Sequence, residues 1–209
     1  MNKATPAKLV LFTRYPRPGE SKTRLIPRLG PEGAAALQRR LTEATVARMR
    51  LFLDGTPISG EIRFAGGDRA GMEEWLGRSL PCLPQEGDSL GERLLAAFAA
   101  AFAGGARRVV LIGADCPGLS ARILGEAFAA LAENDLVLGP AADGGYYLIG
   151  LANPQPELFR AIPWGSSQVL AETLYRAKAL SLATRILEEL ADVDRPEDLR
   201  YFRDHPHPE

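Results

Sequence analysis

Three short stretches of the chain contain no polar side chain: "LVLF" (9–12), "VVLIG" (109–113) and "LVLG" (136–139). A strand with one wet face alternates apolar and polar residues. A strand that is apolar throughout must be covered on both faces, as in the parallel centre of an α/β sheet. Helices must then lie on both sides of the sheet, and the intervening segments supply them. "PEGAAALQRRLTEATVARMRLF" opens at Pro31 and sets Leu37, Leu41 and Ala44 on one face. "LGERLLAAFAAAF" spaces Leu90, Leu94, Phe98 and Phe102 by four, with Leu90 and Leu94 expected in the core. "SARILGEAFAALAE" starts at an N-cap, Ser120, and aligns Leu124, Phe128 and Leu131, while "SSQVLAETLYRAKA" offers a further helix capped by Ser166 or Ser167.

Shorter strands are expected at "EIRFA", "SLPCLP" and "YYLIGL". In "LGPAADGGYYLIGL" two apolar runs flank an Asp-Gly-Gly loop, which adds an antiparallel strand. The alternation predicts right-handed β-α-β units. The expected architecture is an α/β three-layer sandwich, αβα, around a mostly parallel mixed sheet, with residues 1–209 forming one domain.

The 209 residues are 46% apolar and 24% charged, ordinary for a globular protein. A net charge of −1 gives no overall field to draw nucleic acid or an anionic membrane, so neither partner is expected. No apolar run approaches the roughly 20 residues of a membrane-spanning helix, and the apolar part of the N-terminus is short for a signal peptide. A cytoplasmic location is therefore expected. Cys82 and Cys116 have neither metal-ligand spacing nor a disulfide framework and read as free thiols. The histidines, His205 and His207, fall in a Pro-punctuated tail, which leaves carboxylates, lysine, arginine and a metal to carry chemistry. Oligomeric state stays open.

In open α/β sheets, ligands bind beyond the carboxyl ends of the parallel strands. Three loops leave such ends. The first, "FTRYPRPGESKTRL", carries Arg14, Arg17, Lys22, Arg24 and, just beyond, Arg28, against one acid, Glu20. The second, "GADCPGLS", places Asp115, and the third, "GPAADGGYY", places Asp143. A basic loop facing two acidic ones can hold phosphate oxygens together with a bridging divalent ion. Each feature also has a plainer reading: a solvated turn, a cap for the helix after Pro117, and a hairpin turn. The Gly-x-x-Lys-Thr core is not a Walker A motif. Ser21 and Pro16 stand where its glycines belong, and Pro16 and Pro18 lack the N–H donors of a phosphate cradle. What remains is an open cationic loop, touching phosphate through Lys22, Arg24 and backbone amides near Gly19.

Taken together, "FTRYPRPGESKTRL", "LIGADCPGL", "GPAADGGYYLIGL", "PWGSSQVL" and "DVDRPEDL" resemble a family of bacterial transferases with the nucleotide-diphospho-sugar transferase (GT-A-like) fold. Its members include glycosyltransferases associated with radical-SAM and selenium clusters and with arsenosugar biosynthesis. The match runs in order from Phe12 to Leu199. The early Pro-x-x-Gly-x-x-Lys-x-x-Leu loop is also similar to that of 2-phospholactate guanylyltransferases and molybdenum-cofactor nucleotidyltransferases, which transfer a nucleotidyl group.

The resemblance implies a transferase with a nucleotide-sugar or nucleoside triphosphate donor, Mg²⁺ or Mn²⁺, and a small-molecule acceptor. It implies phosphate or nucleotide contacts from Arg14, Gly19, Lys22, Arg24, Gln85, Gly91 and Arg93. Arg14 stands where the family has lysine, which exchanges a point charge for a fork. Asp115 corresponds to the metal aspartate, often written Asp-x-Asp, although Ala114-Asp115-Cys116 supplies one carboxylate of that pair. Asp192 or Asp194 could complete the site, with Asp194 favoured; an N-cap before Pro196 is its plainer reading. Asp143 is a candidate base or sugar contact and Lys22 a catalytic cation. Gly144, Gly145, Tyr146 and Trp164, with Tyr147, are candidates for an acceptor or sugar wall, the aromatics being equally suited to the core. Glycosyl transfer is the leading expectation. Nucleotidyl transfer to a phosphorylated small molecule or cofactor, and a catalytically silent nucleotide-binding module, are the alternatives.

Overall fold

A computed structural model describes residues 6–204, so the tail with His205 and His207 lies outside the described residues. The first apolar run becomes β1 (Ala7–Arg14), the second β4 (Arg108–Gly113) and the third β5 (Leu136–Pro140). With β2 (Ile58–Ala65), β3 (Cys82–Pro84), β6 (Tyr146–Leu151) and β7 (Thr184–Ile186) they form one seven-stranded sheet, ordered β3-β2-β1-β4-β6-β5-β7. Pairing is parallel along β3-β2-β1-β4 and between β5 and β7. β6 runs antiparallel to both β4 and β5. The Asp-Gly-Gly loop thus does reverse the chain, and β6 lies between β4 and β5.

Alternate residues of β1 serve opposite faces, as a doubly covered strand requires. Leu9 and Leu11 pack with α1 (Ile26–Leu53), α2 (Arg69–Leu76) and α4 (Ala121–Ala130) through Val46, Met49, Met72, Ile123, Leu124 and Phe128. Val10 and Phe12 pack with α3 (Leu90–Ala103) and α5 (Val169–Ala179) through Leu94, Phe98 and Ala177. The result is the three-layer αβα sandwich. Among the described residues, no helix is long and apolar enough to cross a membrane.

The helix ends show where local sequence reading holds. Gly30, at φ 71° and ψ 166°, kinks α1, so the segment from Pro31 is a helical unit, as its proline predicts. Ser120 caps α4 by accepting from the Ile123 amide at 3.3 Å, and Ser89 with Glu92 forms a capping box on α3. Two expectations are corrected. Neither Ser166 nor Ser167 caps α5, because Ser166 Oγ is engaged in its own turn, donating to the Pro163 carbonyl at 2.8 Å and accepting from the Gln168 amide at 3.2 Å. Leu90 is not core: it is 45% exposed and lines a cavity, because it sits in the first turn of α3, beyond the cover of the opposing layer.

Candidate active site

The carboxyl ends of β1, β2 and β4, with the start of β6, surround a cavity of about 700 Å³. Its wall includes Arg14, Lys22, Arg24, Gln85, Arg93, Asp115, Tyr146 and Asp194, which sequence reading had scattered over the whole chain. The basic loop enters it as a folded strap. Fully buried Ser21 pins it, its Oγ donating to the Tyr15 carbonyl and accepting from the Arg17 amide, both at 3.1 Å. The Tyr15 ring anchors it in turn, edge-on to Trp75 at 5.9 Å between centroids.

The strap places Lys22 in the left-handed region, φ 48°, with its side chain 3% exposed. Its Nζ donates to the Val193 carbonyl at 2.7 Å and lies 2.9 Å from Asp115 Oδ1 and 3.8 Å from Asp194 Oδ1. Arg24 pairs with the other oxygen of Asp194. The Val193 amide donates to the Asp115 carbonyl at 2.9 Å, so three distant segments are laced together at one point. Asp115 does not cap the following helix, a task Ser120 performs, and Asp194 does not cap the turn at Pro196, where Asp198 accepts from the Asp194 and Arg195 amides. Both carboxylates are left for the cavity.

These two carboxylates are hard oxygen donors already flanking a cation, the Lys22 ammonium. Among the described residues no group of three or more His, Cys, Asp or Glu side chains is placed to hold a metal ion, so any ion here would rest on these two carboxylates alone among side chains of those types. Mg²⁺ is commonly held by one or two carboxylates with phosphate and water completing its shell, so the donor set fits such an ion bound with a phosphate ligand.

The remaining candidates divide. Gln85 Nε2 donates to the Thr13 and Arg63 carbonyls, both at 3.1 Å, and Arg93 Nε donates to the Gly87 carbonyl at 2.8 Å, so both are held rigidly at the cavity rim. Gly19 and Gly91 are not among the cavity-lining residues. Gly19, at φ 80°, makes the turn of the strap. Gly91 makes room for the Trp164 indole, whose Nε1 would lie 2.6 Å from a Cβ there. Trp164 packs on Gly91 and edge-on to Tyr146 at 6.4 Å, so it supports the wall from behind. Tyr147 is buried and donates to the Glu188 carbonyl at 3.0 Å.

Asp143 lines a second cavity of about 360 Å³ with Ser166, Ser167, Asp192, Arg195 and Tyr201; Arg24 and Asp194 belong to both cavities. Asp143 Oδ1 also accepts from the Gly145 amide at 2.8 Å, so the hairpin-turn reading holds. Burial, then the nearby Asp143 charge, pushes the Asp192 carboxyl up to about 6. Gly144, at φ 89°, lets the Asp-Gly-Gly turn approach the 163–168 loop, where a Cβ would run into the Ser167 carbonyl oxygen. Gly144→Ala should therefore destabilise the chain by about 2 kcal/mol or more. Gly145→Ala, whose new methyl group meets the Asp143 side chain, should cost visibly less in urea unfolding. Equal losses would contradict this packing account.

Sequence reading missed Gln38. It is buried on α1 yet lines the larger cavity, with Nε2 at 3.2 Å from Thr42 Oγ1, which lies 2.8 Å from Thr13 Oγ1. The signal was present: Gln38, Thr42 and Thr45 form a polar stripe at spacings of four and three on the face that also carries Leu37, Leu41 and Ala44.

No curated protein matches the chain. A crystal structure of a provisionally named nucleotide-diphospho-sugar transferase from Desulfovibrio desulfuricans G20 is 33% identical, with a TM-score of 0.86 over 95% of this chain and 86% of that one. At the level of fold alone, the chain is similar to the inositol-1-phosphate CTP transferase of T. maritima (13% identity, TM-score 0.59, 95% and 94% of the two chains). It is likewise similar to glucosyl-3-phosphoglycerate synthase of Mycobacterium tuberculosis, solved with Mg²⁺ and uridine diphosphate (13% identity, TM-score 0.60, 94% and 74%). The model of the family described as "uncharacterized protein conserved in bacteria" (DUF2064) matches residues 37–166. On that match, and on the likeness to the Desulfovibrio protein, the chain belongs to the DUF2064 family and has the nucleotide-diphospho-sugar transferase fold.

Proposed function

We propose that the protein is a metal-dependent transferase that moves a glycosyl group from a nucleoside-diphosphate sugar to a small acceptor. The observation that carries this reading is the arrangement of Lys22 and Arg24 against Asp115 and Asp194 in the wall of the larger cavity. Asp115 and Asp194 would hold Mg²⁺ or Mn²⁺, which when bound neutralises charge on a leaving diphosphate. Lys22, Arg24 and Arg14 would bind the phosphate oxygens, with Lys22 and Arg24 also stabilising the charge that develops on them. Gln85 and Arg93 lie at the rim, suited to the nucleoside. The acceptor would occupy the smaller cavity, beside Arg24 and Asp194, with Asp143 or its neighbour Asp192 near the acceptor hydroxyl. This moves the acceptor site from Gly144, Gly145, Tyr146 and Trp164, of which Tyr146 lines the larger cavity and the others line neither, to the polar groups of the smaller one. One domain over residues 1–209 suffices for this reading, and the two free, buried thiols suit a reducing, cytoplasmic setting.

The same charged groups would serve nucleotidyl transfer, and the likeness in fold to the T. maritima enzyme favours keeping that reading. Calorimetric titration with nucleoside-diphosphate sugars and with nucleoside triphosphates, each with Mg²⁺ or Mn²⁺, separates the two. Metal-dependent binding of the sugar nucleotides is expected. If triphosphates alone bind and turnover releases pyrophosphate, the glycosyl reading is wrong.

A further inference from the structure

We propose that Lys22 determines what this site accepts: its ammonium is the resident counter-ion of Asp115 and Asp194, so a divalent cation and a diphosphate bind well together and each binds poorly alone. The proposal rests on reading the larger cavity as a nucleotide site.

A lysine ammonium has three N–H donors. In this structure Nζ donates one hydrogen bond, to the Val193 carbonyl at 2.7 Å, and forms ion pairs with Asp115 Oδ1 at 2.9 Å and, at the longer distance of 3.8 Å, with Asp194 Oδ1. Arg24 occupies the other Asp194 oxygen. Two acids are therefore matched by two bases. The Lys22 side chain is buried, and its left-handed backbone is the sort of strain that persists where the surroundings over-determine it. A divalent cation arriving alone must share its carboxylates with a buried like charge that, among the described residues, has no third carboxylate within 4 Å. A diphosphate arriving alone finds the Lys22 charge already paired and two carboxylates beside it to repel it. When both arrive, the carboxylates can turn to the cation while the ammonium and guanidinium turn to phosphate oxygens, and every charge keeps a partner. Through this exchange each ligand prepares the site for the other, and linkage makes the effect equal in both directions.

The test is calorimetry and Mn²⁺ electron paramagnetic resonance on the whole chain. The probes are MnCl₂ alone, then inorganic pyrophosphate and ADP, CDP, GDP and UDP without and with Mn²⁺. In the wild type, diphosphate should tighten Mn²⁺ binding, and Mn²⁺ should tighten diphosphate binding, by about tenfold or more. Lys22→Met should bind Mn²⁺ alone about tenfold more tightly than the wild type, while its metal-free diphosphate binding weakens. Arg28→Gln removes an equal charge from the exposed first turn of α1, and should bind Mn²⁺ as the wild type does. Circular dichroism monitors folding. If the methionine variant misfolds, Lys22→Gln replaces it, and the wild-type coupling remains a test by itself. The proposal is overturned if Mn²⁺ alone binds the wild type as tightly as with diphosphate, or if neither Lys22 variant gains Mn²⁺ affinity. Either result with diphosphate binding intact leaves the nucleotide reading standing. If neither pyrophosphate nor any nucleoside diphosphate binds in any condition, both fall.

Discussion

Asp115→Asn is expected to abolish metal-dependent nucleotide binding and to lower turnover by about 100-fold or more, the scale of losing several kcal/mol of charge stabilisation. The fold should survive. The Asp115 side chain is 48% exposed, and its backbone carbonyl still accepts from the Val193 amide at 2.9 Å. Lys22 keeps the Val193 carbonyl and Asp194, so the substitution does not strand a buried charge. Calorimetry with and without Mn²⁺, a turnover assay and circular dichroism together decide the matter. A folded variant with normal turnover would sink the metal assignment. Nucleotide binding indifferent both to metal and to this substitution would instead identify a catalytically silent binding module.

The second large effect lies away from the site. Glu61→Leu should destabilise the protein by about 3–5 kcal/mol, the usual result of removing one member of a buried ion cluster. Glu61 is buried on β2 and receives Lys8 Nζ at 2.8 Å from β1 and Arg63 Nε at 2.8 Å from its own strand. Burial by itself would raise the Glu61 carboxyl. Hydrogen bonds from Lys8 and Arg63, and their charges, outweigh it and hold the group below its ordinary value of 4.5. A depressed carboxylate stabilises the fold above its unfolded value, and that contribution is lost as pH falls through the folded value. The difference between variant and wild type in urea unfolding should thus be largest near neutrality and shrink below about pH 4.5. A second change, Arg63→Met, should recover part of the loss, because it removes the stranded guanidinium. An unchanged unfolding midpoint in the single variant would refute the account.

Much of the fold was legible because it rests on local patterns. β1, β4 and β5 follow from runs with no polar residue, which have few ways to avoid water other than burial on both faces. Ser120 was readable as a cap because a cap is a short-range hydrogen bond. Ser166 shows the limit. It has the right chemistry and nearly the right position, but a competing turn at Pro163 takes its hydroxyl first. Leu90 shows another, since helical spacing fixes which residues share a face but not where the opposing layer ends.

The sequence by itself determined the inventory of the site: a cationic strap after β1 and acids after β4, after β5 and near the C-terminal end. Composition, motif spacing and strand ends suffice for that, because loops that follow parallel strands share one edge of the sheet. Tertiary structure alone decided which of these groups meet. Lys22 lies 93 positions from Asp115 and 172 from Asp194, and their contacts depend on a crossover, a sheet register and a left-handed backbone at Lys22 itself. It also decided that Gly91 and Trp164 support the wall, whereas Gln38, hidden in a helix, belongs to the wall itself. The physical reason is range: propensity and periodicity act over a few residues, while the pairing of charges is fixed by distances that exist after the sheet has closed.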